Sequence, residues 1–286
     1  MTTLPLSDGS GTIIRYADVT SRHIPPRNVD VWLPPGYERD QAARYPVIYM
    51  HDGQNLFDPA LAYTGIDWGV DEAIVRLMGA GGGGAILVGV WNTGQRWREY
   101  MPARPLESPS GRALLPQILE RAGGPPVSDQ YLRFLATELK PLIDSTYRTR
   151  PERDHTFVMG SSMGGLISLY AVCEYPAVFG GAGCLSTHWP AGGTMLVDFF
   201  GAAIPRPGQH RLYFDYGTAT LDASYEPFQR RMDDLLRAAG YTEGHDWETR
   251  KFPGAEHTEQ AWRARVDLPL AFLLGSHRSN AEDTAR

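Results

Sequence analysis

Phe157-Val158-Met159-Gly160-Ser161-Ser162-Met163-Gly164-Gly165 is an apolar stretch that enters G-x-S-x-G and runs straight on into helix-forming residues. A strand, this motif and a helix, in that order, make a nucleophile elbow: small residues let the chain turn sharply and hold a serine hydroxyl above the strand end. The register is unambiguous. Centring the motif on Ser161 would put Met159 and Met163 where glycines are needed, so Ser162 is the candidate nucleophile. In a chain with 31 glycines the bare motif arises readily by chance, and the flanking strand and helix give it weight.

Working outward, the chain alternates strand-like and helix-like segments. Residues 11–20 and 28–33 alternate apolar and polar side chains, as an antiparallel pair at a sheet edge does, with Pro25-Pro26 between them. Residues 45–50 (YPVIYM) are nearly continuous apolar sequence, the pattern of a central strand covered on both faces. Residues 68–78 have helical spacing, and 85–90 read as another buried strand. Residues 91–127, rich in Pro, Gly and Arg, read as a long loop near the site. Ser128-Asp129 is expected to cap a helix reaching Tyr147.

The elbow strand (155–159) and its helix (163–174) are followed by strands at 181–185, 211–215 and 247–252. Helices are expected at 194–203, 225–239 and 258–274, the second ended by Gly240. The pattern predicts an α/β chain whose mostly parallel sheet has an antiparallel N-terminal edge and helices on both faces. One domain is expected over residues 1–286, with a polar tail at 276–286.

Composition excludes some functions. The net charge is −6 and Lys and Arg are scattered, so no basic stripe offers a footprint for nucleic acid. Residues 1–11 carry no signal-peptide pattern and no stretch approaches 18 apolar residues, from which a soluble cytoplasmic protein without a membrane partner is expected. Cys173 and Cys184 lie in apolar company and read as buried free thiols rather than a disulfide.

A serine hydroxyl needs a base, and the base needs a third group to fix its tautomer. In an elbow fold the partners follow in the order serine, acid, histidine, on loops after later strands. Of eight histidines, His23, His51 and His155 precede the elbow, His210 and His245 precede strands, and His277 is in the tail. His257, directly after the last strand, is the candidate base; His188 is read as a substrate contact or a solvated loop residue. Asp215, Asp222 and Glu226 compete for the acid, and Asp222 leads because it lies within the loop itself. The oxyanion needs two backbone donors, placed at Met163 after the nucleophile and at or beside Gln54 in the loop His51-Asp52-Gly53-Gln54. His51-Asp52 as a two-ligand metal site lacks a third ligand at suitable spacing, so no metal is expected.

Four segments in order resemble the esterase D, or putative esterase, family. They are His51-Asp52-Gly53-Gln54-Asn55-Leu56-Phe57-Asp58; Trp91-Asn92-Thr93-Gly94 leading to Arg98-Glu99-Tyr100-Met101-Pro102; Gly160 to Gly165; and Gly254-Ala255-Glu256-His257 with Trp262. The family includes enterochelin esterase-like proteins, feruloyl and acetyl xylan esterases and S-formylglutathione hydrolases. The resemblance covers residues 25–275 and implies an α/β-hydrolase fold and carboxylic ester hydrolysis without a cofactor. It supports Ser162 and His257, and supports the acid less firmly because members vary there. It puts Arg98-Glu99-Tyr100 beside the site; the competing reading is a buried ion pair bracing the loop.

The implied reaction is a two-step acyl transfer through Ser162 with His257 as base, its rate rising with pH through roughly 6 to 7. The substrate is expected to be a small acyl, aryl or sugar ester. Trp91 and Trp189, with Trp97, Trp68 and Tyr63, fall near strand ends and are candidates for its recognition, beside His188 and Arg98. Arg96, Arg98 and Arg104 are the candidate cations for the rival substrate, an anionic siderophore. An acyltransferase on the same residues and a catalytically silent binding module are the other rivals.

Overall fold

Residues Val47–His51 send Val47 and Tyr49 to one apolar layer and Ile48 and Met50 to the other, all five buried, so the strand they form must be covered on both faces. The elbow strand behaves alike: Val158 packs in the first layer, Phe157 and Met159 in the second. Burying one such side chain stabilises the fold by about 1.5–3 kcal/mol.

The computed structural model describes residues 1–5 and 10–275; the polar tail expected at 276–286 lies outside the described residues. In chain order come β1 (Thr2–Pro5), β2 (Thr12–Val19), β3 (Arg27–Leu33), β4 (Val47–His51), α1 (Val70–Gly79), β5 (Ile86–Val90), α2 (Arg96–Tyr100), α3 (Pro109–Ala122), α4 (Ser128–Phe134) and α5 (Lys140–Thr146). Then follow β6 (Thr156–Ser161), α6 (Met163–Glu174), β7 (Gly181–Leu185), α7 (Thr194–Ala203), β8 (Arg211–Gly217), α8 (Glu226–Ala239), β9 (Trp247–Phe252), α9 (Glu259–Arg263) and α10 (Asp267–Leu274). The nine strands form one sheet in the order β1-β2-β3-β5-β4-β6-β7-β8-β9. Pairs from β1 to β5 across β2 and β3 are antiparallel, and all pairs from β5 to β9 are parallel. The antiparallel edge is therefore as expected, with β1 added outside it.

Three expectations fail, the first being the single helix over 258–274, which a turn at 264–266 breaks into α9 and α10. Residues 91–127 are not a long loop: they hold α2, a 3-10 turn at Arg104–Glu107 and the 14-residue α3. The missed signal is Ser108-Pro109, a cap whose hydroxyl oxygen accepts from the Gly111 N–H at 3.0 Å with Pro at the first helical position, and Gly123, left-handed at φ 70°, at the other end. Ser128 does not cap α4 either; it is buried inside the first turn and its hydroxyl oxygen accepts from Ala103 N–H. A π turn at Leu135–Leu139 joins α4 to α5 just before Pro141, whose ring crowds the carbonyl four residues back and which has no N–H for the regular ladder.

The cysteines are free, Cys184 fully buried and Cys173 partly, and burial raises both thiols above their ordinary pKa.

Candidate active site

The C-terminal ends of β4, β6, β8 and β9 converge, as crevices do in parallel α/β sheets. At β6 the chain turns through Ser162 at φ 58°, ψ −120°, a conformation that L-residues rarely adopt and that costs about 1–3 kcal/mol. The neighbours hold it there. Ser162 N–H donates to Leu185 O at 2.9 Å, and Ser162 O accepts from Gly165 and His188 N–H. A Cβ on Gly160 would lie 3.0 Å from the Gly164 backbone, so any side chain there would have to push the start of α6 away by a few tenths of an ångström.

His257 follows β9, and its Nδ1 lies 2.6 Å from Asp222 Oδ1. The second oxygen of Asp222 accepts the Gly217 N–H and the Ser186 hydroxyl, each at 2.6 Å. Burial opposes ionisation of Asp222, but the hydrogen bonds from His257, Ser186 and Gly217 together outweigh it and hold the carboxyl below its ordinary range. The other candidate acids go elsewhere. Asp215 is clasped by Arg265 at 2.9 and 3.1 Å, and Glu226 pairs with Lys251 and Arg230.

Ser162 and His257 line one cavity of about 520 Å³, with Gln54, Trp68, Tyr63, Arg96 and Trp262 among its walls. Gln54 sits in the 3-10 turn Gly53–Asn55, where its Oε1 accepts from Asn92 N–H at 3.2 Å. Met163 is the first residue of α6, where amides have no intrahelical acceptor. Arg96 holds Asp52 through two bonds of 2.7 and 2.8 Å, and Asn92 adds a third of 2.6 Å. Against the cost of its own burial, Arg96 has its pKa raised by Asp52.

The substrate contacts expected from sequence are mostly not brought to this cavity. Trp189 is buried in the core, stacked near Phe214, with its N–H donated to Gln229. Trp91 turns to the antiparallel edge, where it donates to Asp30 beneath the Arg15 guanidinium. Arg98 donates to Pro125 O and Gln95, and Arg104 pairs with Glu174. Glu99 forms a buried ion pair with Arg27, and Tyr100 OH accepts the Asp52 N–H, so this segment braces the loop, as the competing reading had it.

His188 is buried rather than solvated, its Nδ1 2.6 Å from Tyr225 OH. Burial, then the charges of His257, Arg121 and Arg96, push its pKa down to about 4, so it is neutral. The Tyr225 hydroxyl also lies close enough to Ser162 to interact with it. Sequence reasoning missed Tyr225 because nothing local marks a buried tyrosine at the start of a helix as facing a serine 63 positions earlier.

A mostly parallel sheet with an elbow serine at β6 and a histidine after the last strand is the α/β-hydrolase arrangement. The chain belongs to the Putative esterase family, whose model matches residues 24–272, and it is a carboxylic ester hydrolase. It is 25% identical over 261 residues to "Uncharacterized protein YbbA" of Bacillus subtilis (strain 168), covering 88% of this chain and 94% of that one. A solved ferulic acid esterase superposes with a TM-score of 0.65 at 18% identity, covering 92% of this chain and 98% of the other. The structure of "Enterobactin and Salmochelin Hydrolase IroE" does so at 0.60 and 18%, covering 91% and 92%. Among the described residues no helix is long and apolar enough to cross a membrane.

Proposed function

We propose that Ser162, His257 and Asp222 are the nucleophile, base and orienting acid of a serine esterase acting on small acyl, aryl or sugar esters. One observation carries the reading: the 2.6 Å contact between His257 Nδ1 and Asp222, with His257 and Ser162 lining the same cavity. Asp222 keeps the proton of His257 on Nδ1, leaving Nε2 free to accept one. Ser162 Oγ attacks the ester carbonyl and its proton passes to His257. The negative charge that develops on oxygen is met by the N–H of Met163 and by an amide at or beside Gln54. Collapse of the intermediate breaks the bond to the alcohol oxygen, which takes the proton from His257. Water then repeats the sequence on the acyl-enzyme and releases the acid.

The siderophore reading is weaker. Arg96 is committed to Asp52, and Arg98 and Arg104 are turned to other partners, so an anionic ferric complex meets no unpaired cation among the described lining residues. Transfer to an alcohol instead of water uses the same residues, and product analysis with added alcohol separates the two.

The test is hydrolysis of p-nitrophenyl esters from acetate to octanoate, with ferulate, by the wild type, Ser162→Ala and His257→Ala. Each variant should lose on the order of 10³-fold or more in kcat with its circular dichroism unchanged. Wild-type turnover in Ser162→Ala would remove the nucleophile assignment.

A further inference from the structure

Two carboxylates line the cavity that holds Ser162 and His257, and they differ in how they are satisfied. Asp52 is neutralised by the two bonds from Arg96 and one from Asn92. Glu259, two residues past His257, is half-buried and makes no hydrogen bond or ion pair with a described residue. Its charge is felt by Arg96, which bonds Asp52 through Nε and Nη2. Apart from His257, the described lining carries two carboxylates against one guanidinium, so one negative charge is left uncompensated.

The walls around that charge are aromatic. Trp68 and Trp262 pack with ring centroids 5.4 Å apart, Trp262 lies edge-on to His257 at 5.0 Å, and Tyr63 stands 88% exposed at the rim. An unpaired carboxylate beside electron-rich ring faces is the chemistry that binds an alkylammonium group and repels a carboxylate. The cations around the cavity are taken or set back: Arg263, four residues after Glu259 on α9, pairs with Asp67 and Glu72, and Arg121, over the Trp97 ring at 4.4 Å, is not among the lining residues.

We propose that Glu259 is a specificity residue that makes this cavity favour esters bearing a positive charge a few ångströms from the scissile bond over anionic ones. The proposal rests on the Ser162 reading above and names the substrate class for that site. The feature is distinct from capping: Thr258 supplies the cap of α9 through its hydroxyl oxygen, which accepts the Ala261 N–H at 3.3 Å, and Glu259 is not needed for it.

Three thioacetates of similar bulk test it: acetylthiocholine, its uncharged isostere 3,3-dimethylbutyl thioacetate, and the anionic S-acetyl-4-mercaptobutanoate, followed by the thiol released. At low ionic strength the wild type should show kcat/KM for the cation about tenfold above the neutral ester, with the anion below both. Glu259→Gln should bring the cation-to-neutral ratio close to one, Glu259→Asp should retain part of it, and 0.5 M salt should compress the wild-type ratio. Because each ratio is taken within one variant, losses of folded enzyme or of turnover cancel. An identical ratio in wild type and Glu259→Gln, or a wild-type preference for the anion, overturns the proposal and leaves Ser162 in place. Turnover that survives Ser162→Ala overturns the triad reading instead, and the proposal with it.

Discussion

The two oxygens of Asp222 play different parts: Oδ1 meets His257, while Oδ2 is held by Gly217 N–H and the Ser186 hydroxyl. Asp222→Asn preserves the shape but offers His257 an amide, which favours the wrong tautomer. We expect kcat to fall by about 10⁴-fold with little change in KM or in the urea midpoint. Asp215→Asn is the contrasting variant. It strips the buried Arg265 of a bidentate partner and should cost about 3–5 kcal/mol of stability, read by urea unfolding, with a much smaller effect on the folded fraction's kcat. These two acids also mark how far sequence carries at this scale. Ser162 and His257 are tied to local signatures and could be read, whereas choosing among three acids after one strand needs to know which side chain faces across to β9. The sequence pointed to Arg98 over Arg96 for the same reason: two positions apart on a helix point about 200° apart, and only Arg96 faces the cavity.

The turn Gly53–Asn55 that carries Gln54 is pressed against β5, and a Cβ at Gly53 would meet the Gly89 carbonyl carbon at 2.4 Å. Gly53→Ala must therefore push the turn away from the sheet. The expected result is a loss of about 1–3 kcal/mol in urea unfolding and a drop in kcat, while Gly83→Ala, where a Cβ would meet no atom within 4 Å, should change neither appreciably. Strands were the most legible elements, since runs such as Val47–His51 announce burial on both faces by composition alone. Helices between residues 91 and 127 were hidden because α3 has a weak apolar stripe, with few buried side chains, and contains Pro116; its caps carried the signal that periodicity did not.

Across the molecule, burial pushes the pKa of both His51 and His188 down to about 4 from an ordinary 6.5. Unfolded, both would bind a proton near pH 6.5, so between pH 6.5 and 4 the unfolded chain holds more protons and stability falls as pH drops. The loss should reach roughly 3 kcal/mol per histidine near pH 4, below which the folded chain protonates too and these groups add no further loss. Asp222, whose pKa is depressed, contributes its own loss only below the unfolded value near 4. Urea midpoints measured from pH 7 to pH 4.5 should decline, with a shallower slope in His188→Asn. At this scale the sheet's parallel body could be read from the alternation of elements, but strand order could not, nor could β1, whose four residues carry no periodicity to recognise. The two cysteines have a practical meaning for bench work. With both thiols kept protonated inside apolar surroundings, the folded enzyme is a silent background for disulfide chromogens, so colour in a thioester assay counts product molecules and not protein.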